Sequence, residues 1–137
     1  MKIRIEGLDE LRRKWGGSEA SFKSAFRTAM DRSVKYVHEE IPPYPAPPAG
    51  STYTRTMQLD RSIGTEVRSV GSDFIGTIGT NLIYAPYVIS TEKVDARGPQ
   101  AKVHRGRWWT LQGVLEKAKG QVQRIFTQTF EQWVKKL

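Results

Sequence analysis

The sequence predicts an α+β fold: a small antiparallel sheet, built from an N-terminal strand and a central hairpin, packed against one long helix and a C-terminal helix. Three observations predict it. Apolar residues alternate at period two at the start of the chain and again across residues 63–79. Between those two central runs stands Gly71-Ser72-Asp73, which is turn chemistry. Over residues 19–39, and from Trp108 to the end, the spacing of apolar residues changes to three and four, the period of a helix with one buried face.

The elements follow in order. Ile3 and Ile5 face one way and Lys2, Arg4 and Glu6 the other, as in a half-buried strand that Gly7 ends. Leu8, Leu11 and Trp15 mark a short helix, stopped by Gly16-Gly17. Ser18 is a good N-cap, and Glu19 suits the positive end of the next helix. Phe22, Phe26, Ala29, Met30, Ser33 and Val37 then line one face of a helix from about 19 to 39. Pro42 breaks it. Residues 41–50 hold five of the seven prolines, so an extended, polyproline-like loop over 41–56 is expected.

Leu59 and Ile63 read as a turn of helix feeding a strand. Ile63, Thr65 and Val67, then Phe74, Gly76 and Ile78, form the hairpin, with Gly76 and Gly79 pointing to a bulge or a close backbone approach. Residues 84–89 suggest a further short strand, limited by Pro86 to an edge or a turn. Residues 91–107 lack periodicity and form a long basic loop, either functional or disordered. The final helix carries Leu111, Leu115, Ala118, Val122, Ile125, Phe126, Thr129 and Trp133 on one side; Gly113 and Gly120 argue for a kink or a late start.

The 137 residues fit a single domain, 1–137, and 38% hydrophobic content with a mean hydropathy of −0.53 suits a modest core and much polar surface. With no cysteine, disulfides, thiolate zinc sites and a Cys nucleophile are excluded. No apolar run reaches the roughly 20 residues of a membrane span. The N-terminus lacks the apolar stretch of a signal peptide, so synthesis in a bacterial cytoplasm is expected. The net charge is +8, concentrated after the hairpin in Lys93, Arg97, Lys102, Arg105 and Arg107, with Asp95 the lone acid among them. Such a cluster suits phosphate or an acidic partner, and equally a solvated loop.

Bond-breaking chemistry is poorly served. Neither His38 nor His104 stands beside a recognisable nucleophile, and no serine lies in a nucleophile elbow. His38, Glu39 and Glu40 are adjacent, so on a helix they diverge and make no metal face. Asp60, Glu66 and Asp73 show no pairing suited to glycoside chemistry, and the glycines of Gly76-Thr77-Ile78-Gly79-Thr80 are wrongly spaced for a phosphate cradle. The chain reads as a non-enzyme with no catalytic residue, cofactor or metal. Trp108-Trp109 beside Arg105 and Arg107 has two readings: a stacking platform for nucleic-acid bases, or one ring anchoring the last helix while the other packs on the loop or a partner. Phe22/Phe26 and Phe126/Trp133, at helical spacing, are read as core or helix–helix contacts.

In order and spacing the chain resembles the small minor tail-component proteins of long-tailed phages and prophages, grouped with neck, head–tail joining and tail-completion proteins. The residues that carry the resemblance are Ile5-Glu6-Gly7-Leu8-Asp9-Glu10-Leu11 after the first strand; Arg55-Thr56, Leu59 and Arg61-Ser62-Ile63; and Ile78-Gly79-Thr80 followed by Tyr84-Ala85-Pro86-Tyr87-Val88. Met57 departs from it, standing where such proteins usually carry glycine, as do Ile89-Ser90-Thr91-Glu92 and Arg107-Trp108-Trp109-Thr110.

The resemblance implies a virion protein, assembled in the host cytoplasm, that forms a homo-oligomeric ring at the head–tail interface beside portal or adaptor and tail-tube or terminator proteins. The subunit contacts expected on that reading come from the proline arm and its flank (Pro42, Pro43, Tyr44, Pro45, Pro47, Pro48, Tyr53 and Arg55), from Tyr84 and Tyr87, and from the hairpin edge. Lys93, Arg97, Lys102, Arg105 and Arg107 would face DNA in the channel or an acidic neighbour. Two alternatives from other classes stand beside it: a small basic nucleic-acid-binding protein using residues 93–107 with Trp108/Trp109, and a hydrolase with an unrecognised site.

Overall fold

The computed structural model of the chain describes residues 1–15, 19–47, 49–51 and 57–136. In chain order the elements are β1 (Lys2–Ile5), α1 (Leu8–Trp15), α2 (Glu19–Glu39), α3 (Gln58–Ser62), β2 (Gly64–Val70), β3 (Asp73–Gly79), α4 (Ala85–Ile89) and α5 (Leu111–Lys135). The strands form one antiparallel sheet in the order β1-β3-β2, with α2 packed on β2 and β3 and α5 packed on α2. The α+β architecture is the one the two apolar periods predict.

α2 is the axis of the core. Phe22, Phe26, Ala29, Met30, Val34 and Val37 are buried at spacings of three and four, and Ala29, Met30 and Val37 have no exposed surface at all. From α5 come Val114, Ala118, Val122, Ile125 and Trp133. The Trp133 indole meets Phe22 edge-on at 4.7 Å, and Phe126 stacks with Phe26 at 6.2 Å. These aromatics join helix to helix, as their spacing implies. Two buried hydroxyls between the helices are satisfied on their own backbones: Ser33 donates to the Ala29 carbonyl and Thr129 to the Ile125 carbonyl.

β3, the central strand, lies under α2 because Gly76 has no side chain. A Cβ there would collide with Val34 and stand 2.7 Å from the Met30 sulfur. The glycine marks a close approach and not a bulge, since the β2–β3 register runs unbroken from Gly64↔Gly79 to Val70↔Asp73. Gly71-Ser72 closes the hairpin in two residues, with Gly71 at φ +61, the backbone a tight hairpin turn needs at its first central position. Pairing places Lys2, Arg4 and Glu66, Arg68 on the sheet face away from the helices, and Ile3, Ile5 and Val67 on the helix face. Ile75, between Arg4 and Arg68 in the register, is 6% exposed; the aliphatic stems of the two arginines are long enough to cover it.

One expectation changes, and the late start offered for the last helix is found. Residues 85–89 are helix α4, not strand: Pro86 stands at the start of the helix, where its missing N–H costs nothing and its fixed φ is already helical. α5 begins at Leu111, three residues after the apolar pattern starts, because the Thr110 hydroxyl accepts the Gly113 N–H and caps the helix there. Met57 takes left-handed backbone at φ 60, ψ 20, a conformation glycine adopts without the Cβ penalty.

Candidate assembly interface

The features singled out by sequence gather around α4 and the loop that follows it. The proline segment 41–47 is neither helix nor strand, with Pro42, Pro43 and Pro47 exposed and Tyr44 and Pro45 half-buried. Its described part lies on its own chain. The Tyr44 ring sits 4.9 Å from Trp108, and the Tyr44 hydroxyl accepts the Asp60 N–H at 2.7 Å. That bond caps α3, whose N-cap residue Met57 supplies no side-chain acceptor. Arg107 closes the other side by donating to the Ala46 carbonyl. Pro48, Tyr53 and Arg55, named as interface candidates, lie outside the described residues.

The basic loop is stitched from within. Gln100, 8% exposed, is its pin: its amide nitrogen donates to the Val88 carbonyl at 2.6 Å and to that of Trp108, while its backbone N–H reaches Ser90. Ala101 N–H bonds the Tyr87 carbonyl, and Val94 and Arg97 close a small two-way bridge. Ser90, also buried, accepts from the Gln112 side chain and from Glu92 N–H, tying the loop start to α5. Three of the five candidate cations are engaged: Arg97 donates to Ile83 O and faces Asp95, Arg105 donates to Gln100 O, and Arg107 to Ala46 O. Lys93 and Lys102 are exposed, as are the Arg105 and Arg107 side chains overall, so the surface stays basic.

α4 turns Ala85, Pro86 and Ile89 inward and leaves Tyr84 and Tyr87 exposed one turn apart, with Ile83 beside them 73% exposed. Aromatic surface next to a basic rim is the composition of a protein-docking patch. Trp108 and Trp109 are half-buried and pack against the edge of the core. Trp108 is enclosed by Tyr44, His104 and Trp109, and the Trp109 indole nitrogen is buried without a hydrogen-bond partner. The Trp108 faces a base would stack on are thus occupied in part by side chains of the same chain. His104 titrates below its usual range, through burial first and the nearby Arg107 charge second. His38 points its Nε2 at the Ile63 carbonyl, 3.1 Å away, and ties the end of α2 to the start of β2.

Two of the stretches that carried the family resemblance meet here. Ser62 and Thr80 share a hydroxyl–hydroxyl bond of 2.6 Å, joining Arg61-Ser62-Ile63 to Ile78-Gly79-Thr80, and Thr80 Oγ1 also accepts the Leu82 N–H that leads into Tyr84–Val88. Gln100, Ser90 and the Arg107–Ala46 contact were not legible as functional residues; their only signal in sequence is polar side chains inside a long loop that would otherwise leave its backbone unpaired. Among family models, curated proteins and solved structures, none matches this chain.

Proposed function

We propose that this chain is a structural subunit of a tailed phage or prophage particle, forming a ring at the head–tail interface around the DNA channel. The observation that carries the reading is the convergence at Ser62–Thr80: two of the separated stretches that resemble minor tail components, Arg61-Ser62-Ile63 and Ile78-Gly79-Thr80, come together in space and lead into one exposed aromatic, basic-rimmed surface. A ring uses heterologous contacts, one face of a copy meeting a different face of the next. Tyr84, Tyr87 and the exposed cations of the loop are the groups offered to the portal-side or tail-side neighbour, and the basic surface suits an acidic ring or passing DNA.

Mass spectrometry of particles purified from a host that carries the gene tests this. The expected result is the chain in fixed ratio to the portal protein, and filled heads without joined tails when the gene is deleted. Infectious, normally joined particles assembled without the chain would overturn the reading.

A further inference from the structure

Among the described residues, the sheet has two free edges: no strand pairs with the outer side of β1 or of β2. Met1 accepts from Ile78, so by antiparallel alternation the backbone groups of Ile3 and Ile5 point to β3 and those of Lys2 and Arg4 point outward. On the opposite edge the outward groups are those of Thr65, Val67 and Ser69. Along β1 runs a groove of about 660 Å3 between the strand and α5, lined on its apolar side by Ile3, Ile5, Leu115, Val122 and Phe126. Bare strand edges left in this way are templates for pairing.

We propose that the occupant of the β1 edge is the β2 strand of a second copy of this chain, so that the sheet continues from subunit to subunit. The proposal rests on the reading of the chain as an assembling subunit and names the junction it uses. β1 and β2 both run antiparallel to β3, so they point the same way, and a head-to-tail neighbour adds its β2 parallel to β1.

Pleat and charge then select the register. Side-chain alternation allows only shifts of two residues. Setting Arg4 beside the neighbour's Glu66 also sets Glu6 beside its Arg68, and places its Val67 next to Ile5 on the groove side. Shifting by two puts Arg4 against Arg68. In the favoured register the Arg4 N–H and C=O meet the neighbour's Thr65 C=O and Val67 N–H, the outward groups that parallel pairing requires. Glu6 shares the outer face with Arg4, to which it is bridged at 2.9 Å, and its side chain is 68% exposed, so it is open to a second cation. A two-fold β2–β2 pair would also match Glu66 with Arg68, but it leaves the β1 edge and its groove bare.

Glu6→Arg and Arg68→Glu separate these arrangements. Both sites are on the surface, and circular dichroism checks that each variant is folded. Light scattering is expected to show concentration-dependent association of the natural chain. Each single variant should associate about tenfold more weakly, because like charges then face each other across the junction. An equimolar mixture of the two variants should recover association, since every junction in an alternating array again pairs opposite charges. Thr65→Pro, which removes one outward N–H, should abolish association with the fold retained. A Glu6→Arg chain that associates as the natural chain does, a mixture that fails to recover, or a natural chain still monomeric at about 1 mM would overturn the proposal. Junctions that form in a chain absent from purified particles would remove the functional reading and leave the pairing; incorporation with Glu6→Arg association unchanged would do the reverse.

Discussion

Gly76 shows how one missing methyl group decides where a helix can lie. Its Cα sits directly under Met30 and Val34, side chains with 0% and 3% exposure that have no room to move aside. Gly76→Ala is expected to lower stability by about 1–3 kcal/mol, read as a lower urea midpoint, through overpacking of an already dense contact. Gly64 and Gly79, facing each other in the register with no atom within 4 Å of either added Cβ, set the scale. Glycine in a strand signals closeness only where an element covers it, and sequence alone does not say which of two nearby glycines is covered.

At the scale of elements, short helices here are held by residues distant in sequence. α3 has five residues and no side-chain cap of its own, so the Tyr44 hydroxyl does that work from the proline segment. Tyr44→Phe keeps the ring against Trp108 and removes the hydroxyl that accepts the Asp60 N–H. It should cost about 1 kcal/mol and speed amide exchange at Asp60. The elements written in a local code were legible: the alternation of β1, the 3.6-residue face of α2 and the Gly-Ser turn of the hairpin. α4 was not, because Ala85-Pro86-Tyr87-Val88-Ile89 is rich in residues that favour strands, and only the helix-starting position of Pro86 tells against that. The internal bonding of residues 90–108 was not legible either, since Gln100 and Arg107 find their partners on other elements.

The whole molecule should weaken steadily on acidification. The Met1 amino group and His104 are both held below their usual values of 8.0 and 6.5, chiefly by burial. A base with a depressed value in the folded state takes its proton first in the unfolded chain. Stability is therefore full above the unfolded values and falls as pH drops through the folded ones. Glu19, held low by Lys23, adds a further loss below about 4.5. Urea midpoints are expected to decline from pH 8 to pH 5, and His104→Gln should flatten the part of that decline below pH 6.5. A midpoint that rises over the same range would contradict the burial of these groups. The same scale governs what sequence could say of the interface: it named the proline arm, the tyrosines, the cations and the hairpin edge, while the β1 edge and its groove exist only once β1, β3 and α5 are brought side by side.

Gln100 divides the long excursion after α4 into two short spans, each anchored at both ends. Ordering a chain segment is costly, and the cost arises when its freedom is lost. Because the pin sits in the folded monomer, that freedom is already gone before any neighbour arrives. Lys93 and Lys102 are thus carried on a preformed backbone, and the neighbour proposed above would have only their side chains to order.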